Sequence, residues 1–170
     1  IMDIDEYGDR NWHNTYGGKK EDVGKRIDAF SDNSFLLTCE TESFGMGKKD
    51  IWLLKIDSNG KTIWDNTFGG KKNDIFGSTL VHSNDSIFIS GQRPMKNKFS
   101  LRSILLLNSK QKSPESANYN SFIARLNGKG ETIWENDVFE GQKCITPYMT
   151  ILEKNLLIAG QKSVSYTHLR

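Results

Sequence analysis

Long apolar runs are missing from this chain of 170 residues. The longest, Ile51 to Leu54, Ile104 to Leu107 and Leu156 to Ala159, hold four residues each. A bilayer-spanning helix needs roughly 20, so no transmembrane segment is expected. Cysteine is nearly as scarce. Cys39 and Cys144 are too few for a disulfide framework, and the sequence leaves open whether they pair. Charge of one sign is also lacking: 23 basic residues stand against 21 acidic ones, a net of +2. That excludes the strongly basic balance of a dedicated nucleic-acid binder, and no nucleic-acid partner is expected. No long segment carries a period of 3.6, so helix has little place.

What the chain has in abundance is repetition, the first thing to seek in any sequence. Asp5-Glu-Tyr-Gly8, then Trp12, Asn14, Tyr16, Gly17-Gly18-Lys-Lys and Asp22 recur as Asp57-Ser-Asn-Gly60, Trp64, Asn66, Phe68, Gly69-Gly70-Lys-Lys and Asp74, at an offset of 52. A third copy, Asn127-Gly-Lys-Gly130 with Trp134, Asn136 and Val138, follows at an offset of 70. Ser34 to Cys39, Ser86 to Gly91 and Asn155 to Gly160 form a further recurring piece. Within the second copy, strands are expected at residues 50–56, 62–68, 75–81 and 86–91, with Ser58-Asn59-Gly60 making a hairpin turn. Ile51 to Ile56 is apolar on both faces except for Lys55, the pattern of a strand covered on both sides. Trp and the aromatic four residues later share one face of the next strand. Four strands in a unit of this length point to an all-β fold, a β-propeller fragment of about three four-stranded antiparallel blades. A closed ring takes about four or more blades, so the ring is expected to be unclosed. Blade repeats are read near 5–56, 57–126 and 127–161 within a partial propeller over 1–163, and Trp12, Trp64 and Trp134 are expected to be largely buried at equivalent places.

The segment Leu54-Lys-Ile-Asp57-Ser-Asn-Gly60-Lys-Thr-Ile-Trp64 resembles the tryptophan-docking repeat of quinoprotein-like propellers. The Gly-Gly pair with Asp four residues on is similar to repeats of bacterial secreted or lipoprotein-type propellers. The resemblance covers residues 3 to about 161, apart from Gln92 to Tyr119. It implies a bacterial protein of the cell envelope or exterior, and it leaves activity open because propellers host unrelated functions. The chain starts at Ile1 with no signal-peptide pattern, so an upstream segment and remaining blades of a longer chain are expected. Residues 164–170 read as a sequencing-adapter scar and are set aside from fold reasoning.

Each recurring motif has a structural and a chemical reading. The Trp residues suit inter-blade packing better than a stacking platform, and Asn14, Asn66 and Asn136 suit a hydrogen bond to neighbouring backbone better than a sugar site. Asp57, Asn59 and Gly60 start like a calcium loop, but Phe68 stands where that loop needs a twelfth-position Glu. The Gly-Gly-Lys-Lys segments lack the earlier Gly and the following Ser or Thr of a phosphate loop. Asp22 and Asp74 are read as turn caps, and Cys39 as a small buried hydrophobe. His13 and His82 fall at different repeat positions and form no ligand spacing. No catalytic, metal or cofactor constellation is assembled, so no cofactor is expected.

One departure from repetition remains. From Gln92 to Tyr119 lie Arg93, Lys96, Lys98, Arg102, Lys110 and Lys112 against one acid, Glu115, a local net of +5 in a chain of net +2. Insertions in repeat proteins emerge on one face and often carry binding, so those six residues are the candidate partner-binding loop. The expected function is a non-catalytic binding or scaffold module for a protein or polysaccharide. The alternative is a piece of a quinoprotein-like oxidoreductase or of a polysaccharide-acting propeller enzyme.

Overall fold

The computed structural model describes residues 1–83, 85–94, 119–138, 144–152 and 154–162. They form twelve strands: β1 (Met2–Ile4), β2 (Arg10–His13), β3 (Asp22–Ala29), β4 (Phe35–Thr41), β5 (Asp50–Ile56), β6 (Thr62–Phe68), β7 (Ile75–Val81), β8 (Ile87–Pro94), β9 (Tyr119–Leu126), β10 (Thr132–Val138), β11 (Cys144–Leu152) and β12 (Asn155–Lys162). There is no helix among the described residues, and none long and apolar enough to cross a membrane.

Every pairing is antiparallel between sequence neighbours. β3-β4-β5-β6 and β7-β8-β9-β10 are four-stranded sheets, flanked by the two-stranded sheets β1-β2 and β11-β12. The architecture is therefore an all-β, propeller-like fragment whose sheets do not close into a barrel. Its twelve strands amount to three blades, as the repeat count implies, but they divide as two, four, four and two. The repeat as read from Asp57 is out of phase with the sheets by one strand, because it starts at the turn between β5 and β6. Similarity between copies fixes a period, not the point where hydrogen-bonded pairing stops. Pairing stops after β6, where Gly69 to Asp74 carries the chain to the next sheet.

The strand expectations at 50–56, 62–68 and 75–81 match β5, β6 and β7, while β8 runs past Gly91 to Pro94. Its extra pairs, Arg93 with Asn120 and Pro94 with Tyr119, form a ribbon beyond the repeat.

Alternation in β5 explains how the sheets stack. Ile51 and Leu53 face a core shared with the following sheet, joined by Leu36, Ile87, Ile89 and Phe122. Trp52, Leu54 and Ile56 face the preceding sheet, with Trp12 and Tyr16 packed against them. Lys55, the lone basic residue of β5, is buried with Nζ 3.1 Å from Asp32 and 4.0 Å above the Phe30 ring. Near the inner strands a polar thread crosses between sheets: Thr38 and Thr79 hydroxyls lie 3.2 Å apart, and Thr79 donates to Asp28 at 2.9 Å.

Three hairpin turns are built alike. Asp5, Asp57 and Asn127 each accept, through Oδ1, the N–H groups two and four residues on, at 2.8 to 3.0 Å. The fourth residue, Gly8, Gly60 or Gly130, has φ of +89, +79 or +79, a conformation glycine adopts without steric cost. The Asp57 carboxylate is thus engaged by its own backbone, as expected of a turn.

Candidate functional site

The most regular polar geometry lies between sheets. The Trp12 indole N–H donates to the Ser58 carbonyl at 3.1 Å, and Asn14 Nδ2 to the Gly60 carbonyl at 3.1 Å. One sheet on, Trp64 donates to Gly128 at 3.1 Å and Asn66 to Gly130 at 3.0 Å. Tyr16 adds its hydroxyl to the Gly60 carbonyl, a bond Phe68 cannot repeat. Each Trp-x-Asn pair thereby latches the turn of the next sheet, which is the packing and backbone-bonding role expected of them. A side chain at either glycine is shut out twice, by positive φ and by space: a Cβ on Gly60 would lie 2.4 Å from Asn14 Nδ2, and one on Gly130 would lie 2.8 Å from Asn66 Nδ2. The expectation of three largely buried Trp residues needs correction. Trp12 and Trp64 are half-buried, and Trp134 is 36 % exposed, with the Phe88 ring edge-on to it at 6.3 Å. The turn glycines Gly60 and Gly130 lie close against the Trp12 and Trp64 rings, and no described turn reaches Trp134.

The two Gly-Gly-Lys-Lys crossovers differ in their electrostatics. Asp22 accepts from the Gly18 N–H at 2.8 Å, from Ser43 at 2.7 Å and from the Thr41 hydroxyl. Burial works against its charge, but these bonds hold its pKa below the ordinary value. Asp74 accepts from the Gly70 N–H at 2.8 Å. Its pKa is raised, first by burial and then, against the Gly70 bond, by the charge of Asp50. Asp50 is 1 % exposed. Its Oδ2 accepts from the Gly47 N–H at 2.9 Å, while Oδ1 has no partner among the described residues. Asp50 was not singled out by its place in the repeat, since Ile1, the first residue, aligns with Leu53 and the position of Asp50, three residues earlier, has no counterpart in the first copy.

Beside the second crossover lies a cleft of about 650 Å³ lined by Phe68, Lys71, Lys72, Arg93, Pro94 and Phe122, among others. Lys71 and Lys72 are exposed. Arg93 is not a free cation: its guanidinium bonds Asp137, with Nε at 3.0 Å, and Glu135, and it lies 5.0 Å over the Phe122 ring. Burial opposes its charge, and the two carboxylates raise its pKa above the ordinary value. The pairing spans 42 and 44 residues of sequence, so nothing local could have disclosed it. Of the six candidate loop residues only Arg93 is described. Lys96, Lys98, Arg102, Lys110 and Lys112 lie outside the described residues, as do residues 164–170.

Cys39 is half-buried against the Leu37–Trp52 cluster, and burial, followed by the charge of Asp22, pushes its thiol up to about 11. It is a packing residue rather than a nucleophile. Among the described residues no group of three or more His, Cys, Asp or Glu is arranged to hold a metal ion. Comparison with protein families and with curated proteins finds no match to this chain.

Proposed function

We propose that the protein is a binding module of a β-propeller scaffold and that the cleft beside the second Gly-Gly-Lys-Lys crossover takes an acidic partner, protein or polysaccharide. One observation carries this: the cleft combines exposed Lys71 and Lys72 with an apolar wall of Phe68, Pro94 and Phe122, and the insertion leaves and re-enters at its rim, from Pro94 and into Tyr119. The repeat's other polar residues favour binding over catalysis, because the Trp-x-Asn latches and the Asp22 and Asp74 caps each serve a local structural bond. Resemblance to exported bacterial propellers adds a cell-envelope or extracellular setting to the proposal.

The test is calorimetric titration with an acidic polysaccharide such as alginate and, separately, with polyglutamate. Binding of at least one is expected at low salt, weakening steeply at moderate ionic strength as screening sets in. Lys71→Glu with Lys72→Glu is expected to weaken it tenfold or more. Absence of binding to both, or binding indifferent to the two substitutions, would refute the assignment of the cleft.

A further inference from the structure

Asp50 opens β5 opposite Thr41 and is 1 % exposed, yet half of its carboxylate is left without a donor. Oδ2 accepts from the Gly47 N–H, while Oδ1 has no hydrogen-bond partner among the described residues. A buried carboxylate oxygen in that state costs free energy that only a donor or a cation recovers. No basic side chain supplies it. Among the described residues neither Asp50 nor Asp74 forms an ion pair: Lys49 turns to Glu21 at 3.3 Å and Glu42 at 3.6 Å, and Arg93 to Glu135 and Asp137.

What gathers around Asp50 Oδ1 is more oxygen. A Cβ on Gly69 would strike Asp50 Oδ1 and lie 2.8 Å from Asp74 Oδ2. A Cβ on Gly47 would strike the carbonyl oxygens of Gly70 and Lys72 and lie 3.3 Å from the same Asp50 Oδ1. Two glycines thus leave room where four oxygens converge. The first crossover is built the other way, with donors: Asp22 accepts from the Thr41 and Ser43 hydroxyls and the Gly18 N–H. Arg93 stands in β8 where Thr41 stands in β4, and its guanidinium is spent on Glu135 and Asp137.

We propose that Asp50 Oδ1 and Asp74 Oδ2, with the carbonyl oxygens of Gly70 and Lys72, hold a calcium ion that ties the second Gly-Gly-Lys-Lys crossover to β5. The set has two carboxylates rather than three acidic side chains, and backbone carbonyls complete it. That mixture suits calcium, a hard cation that takes about six to eight oxygens in flexible geometry, whereas magnesium demands a near-ideal octahedron and sheds water reluctantly. Gly69, Gly70, Lys72 and Asp74 also line the cleft, which gives the ion a way in and water a place to fill the remaining positions. The ion neutralises two buried charges that otherwise repel. This site stands apart from the acidic partner of the cleft, because calcium alone is its probe.

The test is calorimetric titration of calcium chloride into the full chain after chelation and dialysis, with no polyanion present. One ion per chain is expected, with a dissociation constant on the order of 10⁻⁴ M, as in weak extracellular sites. The melting temperature is expected to rise by about 5 °C in ~5 mM calcium, and by about 1 °C or less in the same concentration of magnesium. Asp74→Asn keeps an acceptor for the Gly70 N–H, so it is expected to stay folded in chelator by circular dichroism while losing about tenfold or more in calcium affinity. Asp50→Asn is expected to lose as much; where it fails to fold, Asp74→Asn decides. Asp22→Asn removes the same charge from the first crossover and is expected to bind calcium as the parent does. A parent chain that binds no calcium, undiminished affinity in Asp74→Asn, or an equal loss in folded Asp22→Asn would each overturn the proposal.

Discussion

Asn66 holds the turn glycine Gly130 through a 3.0 Å bond from Nδ2 to the carbonyl oxygen, 64 residues along the chain. Asn14 holds Gly60 in the same way across 46. The insertion between β8 and β9 lengthens the Asn66–Gly130 separation without altering the junction, so the repeat is kept in space where it is broken in sequence.

Removing a latch should loosen one sheet from the next. Trp64→Ala is expected to cost about 3 kcal/mol through lost packing and an unpaired Gly128 carbonyl, and Asn66→Ala about 1 kcal/mol. Chemical denaturation measures both. A Trp64→Ala loss below that of Asn66→Ala would mean that the indole does not bridge the sheets.

The turn glycines give a sharper contrast. Gly60→Ala meets both a positive φ and the Asn14 and Trp12 side chains, and is expected to destabilise by about 2 kcal/mol. At Gly24 in β3 a Cβ meets nothing within 4 Å, so Gly24→Ala is expected to be neutral or slightly stabilising. Equal melting shifts for the two variants would contradict the close approach at Gly60.

Asp22 and Asp74 occupy one repeat position with opposite shifts, and their pH dependence should run in opposite directions. A lowered carboxyl pKa gives stability that is complete above the unfolded value of 3.8 and fades as pH falls through the folded one. A raised pKa penalises the folded state once pH climbs past it. At pH 7 Asp22→Ala is therefore expected to lose about 2 kcal/mol from its charged hydrogen bonds. Asp74→Asn keeps an acceptor for Gly70 and relieves the repulsion from Asp50, so it is expected to stabilise, with the gain vanishing below pH 3.8. Denaturation curves from pH 3 to 7 decide; a stability loss for Asp74→Asn at neutral pH would show that its charge is needed.

Asp32 offers a direct titration. The hydroxyl and N–H of Ser34, then Lys55, lower its pKa to about 2. Carboxyl carbon NMR is expected to find that midpoint, and Lys55→Met should raise it. The stabilising share of this carboxylate is present above pH 3.8 and lost as pH falls towards 2.

Much of this was legible in the residues. The period, the strands at 50–56, 62–68 and 75–81, and the Asx turns all follow from local pattern, because alternation and turn chemistry act over a few residues. The partners of Asn14 and Asn66 were foreseen in kind. The phase of the sheets was not, since it depends on which strand ends pairing, nor was the exposure of Trp134, since no described turn reaches it as Gly60 and Gly130 reach Trp12 and Trp64. Arg93 shows the same limit: its charge was legible, but its neutralisation by Glu135 and Asp137 across the sheet was not.

The repeated Trp is a sheet-to-sheet latch at Trp12 and Trp64, and nuclear Overhauser contacts from the indole Hε1 protons test this most directly. Cross-peaks are expected from Trp12 to Ser58 and from Trp64 to Gly128, with the same pattern at both sites. If either indole lacks its turn contact, or meets a different strand, the sheets do not stack by the junction described.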